Sequence, residues 1–254
     1  MTFWDLTLLD LVALAMFLCA WLGYAPFLRW RGRGLQVHAA AMMDHRRAWM
    51  HEYLGRDLIS GDIAIVGHIM STASFFASTT VIVIGALAGV LVHLGPGSGK
   101  APSTWLSIAQ PSVLELKIVL ILVLAVYAFQ CFTWSIRQAN FAAVVMGAAP
   151  PLSTLNTTVR NRLAASMGSI ITGVAESYDN GVRAYFFGIA AVTWIVNPLL
   201  LMLATTGVVT LLLRRQTRSR TAVALKEIAA LRMEMAPGPD GTWQDPSAAP
   251  AGRT

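Results

Sequence analysis

The sequence predicts an all-α integral membrane protein with about four transmembrane helices and two amphipathic interfacial helices. Three observations carry that reading. Of the 254 residues, 56% are hydrophobic and 13% are charged, against about 25% charged in soluble domains. Four apolar stretches, residues 11–28, 63–94, 112–136 and 184–213, are long enough to cross a hydrocarbon core, which takes roughly 17–25 helical residues. Two further segments, 35–55 and 161–179, repeat apolar residues with the 3.6-residue period of a helix that is apolar on one side.

The first span, 11–28, holds no charge and ends at Pro26 and the WRGRG run. The stretch before it, MTFWDLTLLD, carries acids and no basic region, while Arg29, Arg31 and Arg33 follow the span. That order predicts an uncleaved first span with its N-terminus outside. In segment 35–55, Leu35, Ala39, Met42, Trp49, Met50 and Tyr53 share a face, with Asp44, His45, His51 and Glu52 toward the other. The second span, 63–94, is interrupted only by His68 and His93. At about 1.5 Å per residue it reaches nearly 50 Å, well beyond a core of about 30 Å.

A turn-rich loop, GPGSGKAPSTWLSIAQP, leads to the third span, which carries Glu115 and Lys117 near its start. In segment 161–179, Leu163, Met167, Ile170, Ile171, Val174 and Tyr178 form the apolar stripe, opposite Arg162, Ser166, Ser169 and Glu176. The fourth span is expected to be capped by Asp179 or Asn180 and ended by Arg214 and Arg215. Near its middle, Pro198 can kink it and Asn197 can bond across helices. Residues 1–220 are expected to form the membrane domain, 221–235 a basic amphipathic extension and 236–254 a disordered tail rich in Pro, Gly and Ala.

Lys and Arg number six in 29–57, one in 95–111, four in 137–183 and seven from Arg214 onward. The first three values read inside, outside, inside. Four spans then place the tail outside, against its own charge, and a fifth crossing at 163–175 places it inside. That run is too short to span alone, so four spans are expected and the side of the tail stays open. The expected location is the plasma membrane, in a bacterium the inner membrane.

The net charge of +6 comes largely from residues beside apolar spans. It points to membrane lipids with anionic headgroups and not to nucleic acid. Cys19 and Cys131 lie in apolar runs without zinc spacing, and His38 and His45, two turns apart, give only a weak metal signal. His68 and His93, on one helix, cannot face each other as haem ligands. The GSGK run lacks phosphate-loop spacing, since Leu94 holds the first glycine position and Ala101 follows Lys100. No cofactor, metal or catalytic motif is expected.

The polar residues within the spans are the candidate site. Six of the ten residues in STASFFASTT, 71–80, carry hydroxyls. His68, Thr72, Phe75 and Thr79 lie along one stripe, with Ser71 and Ser78 beside it. Ser71 and Ser74, with Gly85 and Gly89 in GALAG, supply small side chains that let helices approach closely. Beyond them, Gln130, Thr133, Arg137 and Asn140 share a face of the third span, and Asn180 and Arg183 open the fourth. If Arg137 and Arg183 converge they make an anion or headgroup site; otherwise each snorkels to the headgroups.

The motifs RRAWMHEYLGRD, FFASTT, FTWSIRQAN, GAAPP, NGVRAYFF and W-x-x-x-P, in this order over residues 5–220, resemble the family of bacterial and plant membrane proteins called domain of unknown function 599. The resemblance implies a multipass helical membrane protein and no activity, substrate or cofactor. The matching residues are Arg56, Asp57, Phe75, Phe76, Ser78, Thr79, Arg137, Gln138, Asn140, Asn180, Gly181, Arg183 and Tyr185. The expected function is a small transporter, channel or accessory transport subunit whose intramembrane site comprises His68, Thr72, Ser78, Thr79, Arg137, Gln138, Asn140, Asn180, Arg183 and Tyr185. The alternative is a structural or assembly subunit that docks another membrane protein, or a second copy, through its small-residue faces. A lipid- or quinone-acting enzyme is the third reading.

Overall fold

The computed structural model describes residues 7–30, 37–55, 60–94, 111–150 and 156–217, with 224, 227, 228 and 231 beyond them. The loop 95–110, Arg56 and Asp57, and the expected tail 236–254 lie outside the described residues. Six helices run in chain order: α1 (Leu8–Trp30), α2 (Val37–Tyr53), α3 (Ser60–Leu94), α4 (Pro111–Gly147), α5 (Thr157–Thr193) and α6 (Pro198–Thr217). Four are long and apolar enough to cross a membrane, over Leu8–Phe27, Ser60–Leu94, Val113–Gly147 and Pro198–Arg215.

Local chemistry sets the helix starts. The Thr7 hydroxyl accepts the Asp10 backbone N–H at 3.2 Å, capping α1, and donates to the Asp10 carboxylate at 2.6 Å. The Asn156 side chain accepts the Val159 N–H at 2.8 Å and caps α5.

The expected fourth span, 184–213, is not one helix. Residues 161–179 are helical and amphipathic as expected, but they continue without a break into 184–193 as α5. Asp179 and Asn180 therefore sit in mid-helix and cap nothing. The break falls at Trp194–Asn197. A proline at 198 offers no N–H to the preceding turn and its ring crowds the carbonyl four residues back. Asn197 bonds no neighbouring helix there. Its side chain accepts the Leu199 N–H at 2.8 Å and starts α6, with proline at the first helical position.

Side-chain contacts show how the helices run. Asp10 of α1, Lys117 of α4 and Trp194 beyond α5 meet at one end of the bundle. At the other end α2 packs against the start of α3, the end of α4 and the start of α5. There Trp49 donates to Asp62 at 2.6 Å, Tyr53 to the Met146 carbonyl at 2.7 Å and Arg160 to the His51 carbonyl at 3.0 Å. From its start beside Trp194, α6 packs along α1 and α5 and reaches back to α2. The last described turn of α6 thus lies at the α2 end, because α5 traverses the bundle as a partner of α4. Cysteines introduced at Asp44 and Thr217 are expected to react with an impermeant maleimide from the same side of the membrane. Labelling from opposite sides would contradict this arrangement.

At about 1.5 Å per residue, α3, α4 and α5 are each more than 50 Å long, against a hydrocarbon core of about 30 Å. The excess builds a second layer at the α2 end, with a core that includes Met50, Tyr53, Val66, Met146, Met167 and Ile171. Arg162, Ser166, Ser169 and Glu176 are exposed on the outer face of α5 there. The α1 end has its own core around Phe17, Leu124, Phe187, Trp194 and Leu201. Between the two, Phe76, Phe132, Tyr178 and Tyr185 join α3, α4 and α5 through ring contacts of 5.3–5.9 Å.

Candidate functional site

The hydroxyl run faces two ways. Five residues of α3 are buried, Asp62, Val66, Ala73, Ala77 and Thr80, and they mark the line that packs on α4. Thr72 donates to the His68 carbonyl at 3.0 Å, Thr79 to the Phe75 carbonyl at 2.9 Å and Thr80 to the Phe76 carbonyl at 2.6 Å. Each is the carbonyl one turn back, so these hydroxyls are satisfied within their own helix and need no water-filled cavity. Thr80 alone of the three is buried, and it also bonds the Tyr185 hydroxyl at 2.6 Å across to α5. The inward stripe is thus Ala73, Ala77 and Thr80, one residue on from the expected Thr72–Thr79 stripe. His68 and Ser78 are exposed, and Thr72 and Thr79 half-buried.

The small-residue positions share an outward face. Gly67, Ser71, Ser74, Ser78, Gly85 and Gly89 are all exposed. At 3.6 residues per turn they fall within about 60° of one another, roughly 130° from the buried line. A Cβ added at Gly67, Gly85 or Gly89 would meet nothing within 4 Å. The packing expected of Gly85 and Gly89 is therefore not made among the described residues.

Arg137 and Arg183 do not converge. Arg137 is exposed, with its guanidinium 5.6 Å from the ring centres of both Trp134 and Phe141 on its own helix. Arg183 lies among α1, α4 and α5. It donates to the Asn180 side chain, stands 5.5 Å over the Tyr24 ring and touches the Tyr127 hydroxyl, which in turn meets the Cys131 thiol. Gln138 accepts from Ser177 at 3.4 Å on another part of the α4–α5 seam, and Asn140 is exposed. The ten expected site residues are thus spread over separate loci. The clearest crevice among the described residues lies elsewhere, between Met50, Met146, Met167 and Ile171, and is apolar and too tight for water.

Two buried charges that the sequence order alone does not pair meet at the α1 end. Asp10 and Lys117 are 7% and 5% exposed and stand 3.8 Å apart, carboxylate to ammonium. The fully buried Trp194 donates its indole N–H to Asp10 at 2.8 Å, and the Lys117 ammonium lies 5.4 Å from the centre of the Trp194 ring. This clasp joins the N-terminal ends of α1 and α4 to the C-terminal end of α5. A signal was present: α1 carries Asp10 in its first turn, and α4 carries Lys117, beside Glu115, in its second.

At the α2 end, burial and the Asp62 carboxylate push the Tyr53 phenol above its ordinary pKa, so it stays a neutral donor to Met146. Burial lowers the Arg46 pKa, against the pull of Asp179 and Glu176 on α5, which favour its charged form. Among the described residues no group of three or more His, Cys, Asp and Glu could hold a metal ion.

A family model described as "Protein of unknown function, DUF599" matches residues 12–221. No curated protein and no solved structure matches the chain.

Proposed function

Because the chain belongs to this family of unknown function, DUF599, we propose its role from the arrangement of its helices: a membrane subunit that assembles with another membrane helix along the outer face of α3. The observation that carries the reading is the exposed line Gly67, Ser71, Ser74, Ser78, Gly85 and Gly89. Lipid tails gain nothing from glycine or serine, whereas a docked helix can approach them closely and bond the serine hydroxyls. A helix that buries five of its 35 residues against its own chain leaves most of its surface for such a partner. The partner is a second copy or another membrane protein. The basic α2 end is assigned to the cytoplasm of a plasma membrane by its Lys and Arg content, which leaves the start of α1 outside.

The test is the double variant Gly85→Leu, Gly89→Leu. Nothing among the described residues lies within 4 Å of either added Cβ. The thermal midpoint of the isolated chain is expected to hold or rise, because leucine favours a helix interior more than glycine does. The mass of the particle extracted in native nanodiscs is expected to fall to that of one chain. An unchanged mass, or a wild-type particle that is already a single chain, would overturn the proposal.

A transport role is the second reading, favoured by buried polar pairs within the spans, Asp10 with Lys117 and Thr80 with Tyr185. It calls for a state in which α4 and α5 part. Its test is solute flux into proteoliposomes, and flux equal to that of empty vesicles counts against it.

A further inference from the structure

Arg183 has an unusual setting for a cation on a helix packed among apolar spans. It belongs to neither of the ion pairs Asp44–Arg47 and Asp10–Lys117. Its hydrogen-bond partners are neutral: the amide oxygen of Asn180 and the Tyr127 hydroxyl. Nearby charges on α5 are spoken for: Asp179 and Glu176 act on Arg46 of α2. Beside the guanidinium stands Tyr24, 4% exposed, whose buried hydroxyl has no hydrogen-bond partner. An unsatisfied buried hydroxyl destabilises the fold until something bonds it. Tyr127 adds a second phenol against Arg183, and it is the exposed member of the set. A charged donor and two phenols, one of them unpaired, thus gather where an anion could accept from all three.

Depth narrows what that acceptor is. Tyr24 lies three residues before the end of the first apolar span at Phe27, at the level where headgroups begin. The side chains bridging α1 to its neighbours here are large: Trp21 meets Tyr127 edge-on at 5.7 Å and Phe17 meets Phe187 at 5.8 Å.

We propose that Arg183, Tyr24 and Tyr127 form a binding site for a phosphate group, presented between α1 and α4 by an anionic lipid headgroup or by soluble phosphate. The guanidinium makes charge-assisted bonds to phosphate oxygens, and both phenols donate to the remaining oxygens. Asn180 holds the guanidinium toward the site. Entry is from the Tyr127 side, and binding turns the covered Tyr24 hydroxyl onto the anion.

The test uses the full chain in nanodiscs of phosphatidylcholine with a minor fraction of phosphatidylglycerol, read by native mass spectrometry. Wild-type chain is expected to retain phosphatidylglycerol selectively, and Arg183→Gln to retain at least about ten-fold less. Tyr24→Phe is expected to weaken retention about five- to ten-fold. It should leave the thermal midpoint of the lipid-stripped chain unchanged or raised, because it removes an unsatisfied hydroxyl. That variant keeps the test informative if Arg183→Gln does not fold. In phosphatidylcholine alone, inorganic phosphate is titrated against the thermal midpoint. A phosphate-dependent rise lost in both variants assigns the site to soluble phosphate, and selective retention of phosphatidylglycerol assigns it to lipid. Equal behaviour of wild type and both variants toward both probes would overturn the site.

Discussion

Asp10→Leu is expected to destabilise the chain by about 3–5 kcal/mol, the range seen when one partner of a buried ion pair is removed. Three groups lose their acceptor at once: the Lys117 ammonium, the Trp194 indole N–H and the Thr7 hydroxyl. The two sides of the pair are not equivalent. In Lys117→Met the Asp10 carboxylate keeps its bonds from Trp194 and Thr7, so that variant is expected to cost less. The double variant Asp10→Leu, Lys117→Met removes both charges and orphans only neutral donors. It is expected to lie closer to wild type than Asp10→Leu alone. Thermal unfolding in detergent, followed by size-exclusion fluorescence, measures all three. Equal loss in the two single variants, or a double variant worse than both, would contradict the clasp as the tie between α1, α4 and α5.

Gly181→Ala is the second large effect, and it runs against helix propensity. Alanine for glycine inside a helix ordinarily stabilises by up to about 1 kcal/mol. At Gly181 the new methyl would stand 2.7 Å from the Phe132 ring. Phe132 is fully buried and stacks on Phe76 at 5.3 Å between Tyr178 and Tyr185, so the ring has nowhere to retreat. Overpacking of this kind costs about 1–3 kcal/mol, and a net loss of stability is expected. Phe132→Leu in the same chain should return part of it by clearing the space. A Gly181→Ala variant as stable as wild type would show that α4 and α5 are not in close contact here.

The spans and the amphipathic segments were legible in the sequence because apolar length and 3.6-residue period act along the chain. Met167, Ile171 and Val174 are buried as the stripe in 161–179 required. What period could not say was that the stripe continues past Asn180. Short polar residues at 179–180 look like a cap, yet inside α5 Asn180 serves Arg183 and the helix runs on. The break lay instead at Asn197-Pro198, where the local chemistry of a helix start was present but was read as a kink.

The site was harder to read, for a related reason. Thr79 and Thr80 are adjacent and chemically alike, and a rotation of about 100° decides which meets Tyr185. Only the partner helix fixes that angle. Asp10 and Lys117 are far apart in sequence, and each alone looks like a helix-end charge. Matching their depth in two helices that run the same way through the bundle is the step that pairs them.

The α3 face carries the functional reading, and cysteine scanning along it tests that reading most directly. Single cysteines at consecutive positions from Gly67 to Gly89, in a chain whose Cys19 and Cys131 are replaced by serine, are oxidised in native membranes and resolved by mass. The account predicts crosslinks that recur at Gly67, Ser71, Ser74, Ser78, Gly85 and Gly89 and fade on the buried line at Ala73, Ala77 and Thr80. Those crosslinks join two copies, or join the chain to a membrane protein carrying a cysteine. Crosslinking without that period, or none at any position on this face, would contradict it.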